Sequence, residues 1–294
     1  MSYRSGFIAI VGPPNVGKST LLNSILGDKV AIVTAKPQTT RNRITGIYTT
    51  PEFQMVFMDT PGIHKTQTPL HKSMVESAKA ALQEVDIVLL MIEIRRADDP
   101  EIRPIIGHLR KAGKPAVLAI NKVDQGRKDQ LLPIIDRYQK EYDFSAIVPI
   151  SALRGINLGG LLEELKNLLP PGPQLFPGDM KTDQSEAFLV SEIIREKIYL
   201  YTREEVPYSC AVTVETMAED PEKGLLSIRA KIHVETNSQK GILIGKGGSM
   251  IKKIGKEARE ELEARFGVKI FLDLMVRVER NWSKNAKALR RLGY

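Results

Sequence analysis

The sequence predicts an α/β domain followed by a smaller α+β domain. In the first half, short apolar runs alternate with amphipathic segments, a pattern typical of a mostly parallel sheet with helices on both faces. After the proline-rich stretch at 169–173 this regular alternation stops. A chain of 294 residues is long enough for two domains of ordinary size.

The first half contains apolar runs that are each about one buried strand long. The predicted strands are 7–11, 44–49 (at the edge), 55–58, 87–92, 116–120 and 146–150. The predicted helices between them are 19–26, 72–82, 100–111, 128–142 and 158–168. We therefore place the first domain at residues 1–172.

The second half begins after a stiff linker at 173–183, where prolines fix φ and remove amide donors. The second domain, 184–294, is predicted to contain a helix at 185–204 and strands at 209–217 and 224–234. A short helical turn at 241–244, a helix at 249–266, a strand at 269–277 and a final helix at 284–292 follow.

The net charge of +8 is confined to the end of the chain. Residues 240–294 contain 14 Lys and Arg against 6 Asp and Glu, whereas the remaining residues balance. This excess favours a polyanionic partner, although a solvated helix surface would also account for it. The single cysteine, Cys210, excludes an intrachain disulfide. With no leader pattern and no apolar run near ~18 residues, we expect a cytoplasmic protein.

A glycine-rich segment follows the first predicted strand and opens the first predicted helix. This context is that of a P-loop, in which backbone amides and a helix N-terminus surround a polyphosphate. Lys18 should reach the β- and γ-phosphates. The predicted phosphate-binding residues are Gly12, Pro13, Pro14, Asn15, Val16, Gly17, Lys18, Ser19 and Thr20.

Three residues are candidates for holding Mg²⁺ beside the phosphates. Ser19 offers a hydroxyl, and Asp59 ends a predicted strand within Asp-Thr-Pro-Gly. Between them, the segment Lys36–Arg41 should supply another hydroxyl, for which we choose Thr40 over Thr39. Gly62 should donate its amide to the γ-phosphate, which makes this region a switch.

Asn121-Lys122-Val123-Asp124 follows another predicted strand and indicates a guanine base. The carboxylate of Asp124 can accept hydrogen bonds from two guanine N–H groups that adenine lacks, so adenine would leave it unpaired. Asn121 should bridge the base and the P-loop, and Lys122 should pack along the ring. The segment Ser151, Ala152 and Leu153 should support the base, with the Ala152 amide meeting guanine O6.

Catalysis of GTP hydrolysis should consist mainly of positioning and electrostatics. The expected contributors are Lys18, Thr40, Gly62 and Asn15. Ile63 follows Gly62, where many Ras-like GTPases have a glutamine that orients water, so slow intrinsic turnover is expected. The amide oxygen of Asn15, together with switch carbonyls, could hold K⁺ in place of an arginine finger.

A second glycine-rich turn, Gly245-Lys246-Gly247-Gly248, lies between two predicted helices. A Gly-x-x-Gly turn of this kind is the KH signature, which lets a nucleic-acid backbone approach closely and typically grips about four single-stranded nucleotides. A purely structural turn is the alternative. The predicted RNA-binding residues are Ile242, Ile244, Gly245, Lys246, Gly247, Gly248, Ile251, Lys252 and Lys253.

Through these motifs, the chain closely resembles the bacterial Era GTPase family over essentially its full length. Further matching segments are Gln38–Arg41, Ser191–Lys197, Val206–Ser209 and the tail 288–294. The resemblance implies an α/β P-loop GTPase domain followed by an α+β type II KH domain. One departure is Pro13-Pro14, where family members often have Arg-Pro, so any arginine contribution there is absent.

The resemblance further implies GTP/GDP and Mg²⁺ as cofactors and the 3′ end of 16S rRNA and the 30S subunit as partners. It implies a role in small-subunit assembly and peripheral association with the inner membrane. We expect a monomer that does not bind DNA. Two alternatives remain: a regulatory GTPase whose basic domain docks on a protein or an anionic membrane, and an RNA-binding protein that holds nucleotide without turnover.

Overall fold

The computed structural model of the chain describes residues 2–36, 39–59, 69–70, 74 and 82–294, with the backbone alone for residue 128. These residues form two compact units. The first comprises the described residues of 1–31, 40–67 and 71–183, and the second those of 32–39, 68–70 and 184–294. The short segment around residues 32–39 therefore belongs to the second unit, although it lies early in the sequence.

The first unit is built on one sheet, whose described strands run in the order β2-β3-β1-β4-β5-β6. All neighbours are parallel except β2 and β3, which are antiparallel. The strands are β1 Arg4–Val11, β2 Ile44–Thr49, β3 Phe53–Asp59, β4 Ile87–Glu93, β5 Ala116–Asn121 and β6 Ala146–Pro149. This arrangement confirms the predicted mostly parallel α/β domain.

Helices cover this sheet because its strands are apolar on both faces, and β5 is buried along its whole length. The described helices are α1 Lys18–Leu26, α2 Ile102–Ala112, α3 Leu131–Glu141 and α4 Leu158–Leu168. Helix α3 begins later than predicted because 128–130 form a 3₁₀ turn. The helix predicted at 72–82 lies mostly outside the described residues.

The second unit has the order helix, two strands, two helices, strand and helix. Its elements are α5 Glu186–Tyr201, β7 Ala211–Asp220, β8 Leu225–Val234, α6 Asn237–Ile244, α7 Ser249–Phe266, β9 Lys269–Val278 and α8 Ala286–Arg291. Strand β8 lies between β7 and β9, antiparallel to β7 and parallel to β9. This is the predicted α+β order.

Alternating apolar residues define the core of the second unit. The even-numbered β8 side chains from Leu226 to Val234 are buried and pack with the face of α7 that carries Ile254, Ala258 and Leu262. Helix α6 starts four residues earlier than predicted, because Thr236 and Gln239 form a capping box.

Candidate functional site

The P-loop connects the end of β1 to the start of α1. Gly17 has a φ of 103°, and a Cβ there would lie 2.5 Å from the side-chain nitrogen of Asn121. Only glycine fits this backbone and this contact. The amino group of Lys18 is buried and donates to the carbonyl oxygens of Gly12 and Pro13, each at 3.0 Å. Burial lowers the pKa of Lys18, so an anionic phosphate beside it would be favourable.

The other predicted residues of this loop frame the same turn. Val16 is buried, with 2% of its surface exposed, and its carbonyl faces Asn121. Pro13 is buried, Pro14 and Thr20 are half-buried, and Asn15 is exposed with a φ of 62°. The loop is therefore packed against the protein at Pro13 and Val16, and it is accessible to solvent at Asn15.

Two hydroxyls and a carboxylate meet beside the P-loop. The Ser19 Oγ donates to Asp59 Oδ2 at 2.6 Å and lies 3.0 Å from Thr40 Oγ1. Thr40 Oγ1 is also 3.4 Å from the same carboxylate oxygen. Burial raises the pKa of Asp59, and its Oδ1 is buried with no hydrogen-bond partner among the described residues.

This cluster fits Mg²⁺. A buried carboxylate oxygen without a partner is costly, and a bound cation would satisfy it and reverse the effect of burial on its pKa. Hydroxyl and carboxylate oxygens are also the ligands that Mg²⁺ prefers. Gly62 and Ile63 of the neighbouring switch lie outside the described residues, as does Gln38.

Asn121 joins the base-recognition segment to the P-loop. Its side-chain nitrogen donates to the Val16 carbonyl at 2.7 Å, as predicted, and its Oδ1 accepts from the Ala152 amide at 2.9 Å. The Ala152 amide, expected to meet guanine O6, is thus already used by Asn121. Ser24 Oγ of helix α1 donates to the Ala152 carbonyl at 2.7 Å and fixes the same loop.

Lys122 is held by a partner that the sequence did not reveal. It adopts a φ of 64°, and its amino group lies 2.8 Å from the Asn15 carbonyl and 2.6 Å from Glu93 Oε2. Glu93 pairs with Asn121 in the parallel register of β4 and β5, which places its side chain near the motif. The alternation of β4 alone could not have identified this contact.

The remaining base-loop residues are accessible. Asp124 is exposed, as is Leu153, with 69% of its surface exposed. Ser151 is buried, and its Oγ accepts from the Arg154 amide at 3.2 Å. Asp124 therefore remains open to a ligand at the edge of the sheet where β1, β3 and β5 end, the usual ligand edge of such sheets.

The Gly-x-x-Gly turn connects α6 to α7 in the second unit. All three glycines have positive φ, at 71°, 60° and 79° for Gly245, Gly247 and Gly248. A Cβ on Gly245 would lie 2.8 Å from Met250, whereas one on Gly247 would meet nothing within 4 Å. The turn therefore presents bare backbone to solvent, and Lys246 beside it is exposed.

A groove with a volume of about 390 Å³ lies between α7 and the edge strand β9. Its basic side is formed by Lys252, Lys256 and Arg259, and its apolar side by β9. The lining residues are Ile251, Lys252, Gly255, Lys256, Arg259, Ile270, Phe271, Leu272 and Leu274. Phe271 has 58% of its surface exposed, so the groove has an aromatic rim.

The predicted RNA-binding residues divide between this groove and other places. Ile251 and Lys252 line the groove, and Ile244 packs against the core. Ile242 is 45% exposed instead of packing in the core. Lys253 is not among the groove residues, because its amino group lies 4.0 Å above the Tyr201 ring on the α5 side. Arg259 and the β9 wall were not anticipated.

Two protein-family models match separate parts of the chain. Residues 7–122 match a model described as a 50S ribosome-binding GTPase, and residues 205–283 match a KH domain. Within the part of the chain that the structure describes, no helix is both long and apolar enough to cross a bilayer. Fold, site and family models thus define a P-loop GTPase that carries a KH domain.

Individual relatives match over the whole chain. GTPase Era of Syntrophus aciditrophicus is 53% identical over 292 residues, covering 99% of this chain and 95% of its own. GTPase Era of Geotalea daltonii is 50% identical, with 99% and 98% covered. The chain therefore belongs to the Era GTPase family, and it is an enzyme that hydrolyses GTP.

Solved structures of this family have the same fold. A variant of Aquifex aeolicus Era bound to GDP and AlF₄⁻ has a TM-score of 0.96 and 42% identity, with 99% of both chains covered. A second Era structure, in complex with MgGDPNP and nucleotides 1506–1542 of 16S ribosomal RNA, has the same TM-score, identity and coverage.

Proposed function

We propose that the protein is a GTP-driven switch that binds the 3′ end of 16S rRNA and assists assembly of the 30S subunit. The RNA would bind in the groove between α7 and β9, which we call the KH groove. The observation that carries the proposal is the groove itself, in which three cations face an apolar wall beside a bare glycine turn. The Era structure with a 16S rRNA segment supports the identity of the RNA. A cytoplasmic location, with peripheral association with the inner membrane, belongs to the same proposal.

In the nucleotide site, Lys18 and the amides of residues 12–20 would hold the phosphates. Binding of the β- and γ-phosphates would draw the Lys18 amino group from the carbonyls that it contacts, and would recover the cost of burying its charge. Asp124 would accept from guanine, while Ala152 and Leu153 support the base. Gly62 would complete the γ-phosphate contacts.

Ser19, Thr40 and Asp59 would hold Mg²⁺, which would supply positive charge to the phosphate oxygens as the γ-phosphate leaves. Thr40 belongs to a segment that a γ-phosphate would organise. Its hydroxyl lies 3.0 Å from Ser19 Oγ, and this proximity supports a Mg²⁺ site that the two side chains would share.

The KH groove would bind a single strand with its phosphates along Gly247, Gly248 and α7, and its bases against β9. Lys252, Lys256 and Arg259 would pair with phosphates, and Phe271 offers a face for base stacking. Lys246 would meet the backbone at the turn. Lys253 would contribute charge without lying in the groove.

The experiment measures binding of a short single strand from the 3′ end of 16S rRNA, with a GTP analogue and then with GDP, at fixed salt. The Gly247→Asp/Gly248→Asp variant adds two negative charges where added Cβ atoms meet nothing closer than 3.9 Å. Gly224→Asp is the matched control, because Gly224 also has positive φ, at 55°, and open space around it.

We expect tighter RNA binding with the analogue, a loss of at least tenfold in the double variant, and no change in the control. The two added charges repel phosphates, and an interaction of this size is typical of a charged contact. Equal and weak binding in both nucleotide states would refute the proposal. Sequence-independent binding to anionic vesicles would favour the alternative in which the basic domain docks on a membrane.

A role for K⁺ is part of the same proposal. Asn15 is exposed at the open side of the P-loop, and its φ of 62° can be kept by glycine. Phosphate release should be faster in K⁺ than in Na⁺, and Asn15→Gly should remove this difference because it deletes the amide oxygen. Equal rates in the two salts for the unaltered protein would exclude this role.

A further inference from the structure

Glu93 is the last residue of β4, in the first unit, and lies beside the base-recognition segment. The rest of β4 is apolar and buried, and only 12% of the Glu93 side chain is exposed. In the parallel register of the sheet, Glu93 lies opposite Asn121 at the end of β5. A carboxylate that is largely removed from water needs a charged or hydrogen-bonding partner.

Lys122 is this partner, and its amino group joins the end of β4 to the P-loop. The amino group lies 2.6 Å from Glu93 Oε2 and donates to the carbonyl oxygen of Asn15 at 2.8 Å. Both partners of the contact with Glu93 carry a charge, so this contact is the stronger of the two. Glu93 therefore determines where the amino group lies, and the contact with Asn15 depends on that position.

Two successive carbonyl groups of the P-loop are held from the base-recognition segment. Lys122 contacts the carbonyl oxygen of Asn15, and the Asn121 side chain donates to that of Val16 at 2.7 Å. A trans peptide directs its N–H opposite to its C=O, so the amides of Val16 and Gly17 are directed away from these two side chains. Successive amides that converge in this way form a concavity that binds anions.

The aliphatic stem of Lys122 is the part of this side chain that would pack along the guanine ring. A long side chain loses conformational freedom when it packs on a ligand, and this loss weakens binding. Lys122 is already fixed at its amino group by Glu93, so less freedom remains to be lost when the ring arrives. The same contact thus favours binding of both the base and the phosphates.

We propose that Glu93 is a positioning residue for guanine-nucleotide binding. It fixes the amino group of Lys122, and thereby places both the stem that packs along the ring and the Asn15 carbonyl that orients the Val16 amide. This inference rests on the proposed guanine site, in which Lys122 contacts the base. It assigns a contribution to nucleotide affinity to a residue at the end of β4, outside the P-loop and the Asn-Lys-Val-Asp segment.

The test is a double-mutant cycle of Glu93→Ala and Lys122→Ala in the full-length protein, with circular dichroism to verify the fold of each variant. Glu52→Ala is the matched control, because Glu52 pairs with Lys166 at 2.7 Å in the same unit. Glu52 directly precedes β3, which runs in the same direction as β4. The control pair therefore lies at the opposite end of the sheet from Glu93.

The readouts are the affinity and the dissociation rate of fluorescent GDP at a fixed Mg²⁺ concentration. We expect Glu93→Ala to weaken GDP binding about three- to tenfold, which is the range for immobilising one long side chain on binding. Most of the change should be faster dissociation. Glu52→Ala should match the unaltered protein. In the Lys122→Ala background, Glu93→Ala should weaken binding no further, because the cation that it positions is gone.

The cycle also separates this inference from the proposed guanine site. If Lys122→Ala weakens GDP binding and Glu93→Ala does not, the role of Glu93 is refuted alone; if Lys122→Ala has no effect, both fail. An equal loss from Glu93→Ala with and without Lys122 would mean that Glu93 acts on the fold, which also overturns the inference. Should Glu93→Ala not fold, Glu93→Gln replaces it in the cycle, because the amide keeps the length of the side chain and removes its charge.

Discussion

The salt dependence of RNA binding is the sharpest quantitative consequence of the groove. Lys252, Lys256 and Arg259 all line it, and we consider a variant with all three replaced by glutamine. Each cation that neutralises a phosphate of a single strand contributes about 0.7 to the slope of log affinity against log salt. The triple variant should therefore lower the slope by about 2.

Between 50 and 200 mM salt, a slope difference of about 2 corresponds to roughly a 16-fold difference in how far affinity falls. Fluorescence anisotropy of a labelled single strand, measured at several salt concentrations, gives both slopes. The control replaces Lys284, Lys287 and Arg290 by glutamine, since these exposed residues carry the same charge and do not line the groove. Equal changes of slope in the two variants would refute RNA binding in the groove and would leave only a general attraction between the basic surface and the RNA.

Three further predictions concern stability and specificity. Ile254→Ala should destabilise the protein by about 2–5 kcal/mol in urea unfolding, because Ile254 is fully buried, whereas Ile242→Ala, on the exposed face of α6, should cost far less. Burial, aided by nearby cations, lowers the pKa of His233 to about 4, so the unfolded chain binds a proton first as pH falls. Stability should then drop from pH 7 to pH 5 by about 2 kcal/mol, and His233→Gln should remove this part of the drop. Asp124→Asn should weaken GDP binding by about 10- to 100-fold in titrations while leaving ADP binding unimproved, and an unchanged GDP affinity would contradict its role.

The sequence motifs predicted those parts of the nucleotide site that depend on local backbone. A strand followed by glycines and a helix start specifies where Lys18 and Ser19 lie, and the side chain of Asn121 reaches the P-loop as predicted. Elements with strong periodicity, such as Ser249–Phe266, were also predicted with their observed bounds. Most of these features depend on residues that are close together in the chain, whereas the contact of Asn121 with Val16 spans 105 positions and was predicted from the motif.

Contacts between distant residues were not predictable in the same way. The bond from Arg195 to Thr39 spans 156 positions, and nothing in the composition of α5 distinguishes that arginine from a surface residue. The β9 wall of the groove depends on the register of a parallel pair, which alternation alone does not set. The bond from the Ala152 amide to Asn121 joins residues 31 positions apart and forms only in the folded loop, so the sequence did not reveal it.

The order of the strands in the first sheet has a consequence for synthesis on the ribosome. Strand β1 is made first but lies between β3 and β4, and the loop that holds Asn121 ends at Ala152. At about 5–20 residues per second, the nascent chain cannot complete a guanine pocket for roughly 8–30 seconds. The contacts of Val33 and Thr39 with α5 form later still, because α5 is synthesised after Ala152. In a newly made molecule, all segments of the nucleotide site are therefore synthesised before Thr39 can contact Arg195 of α5.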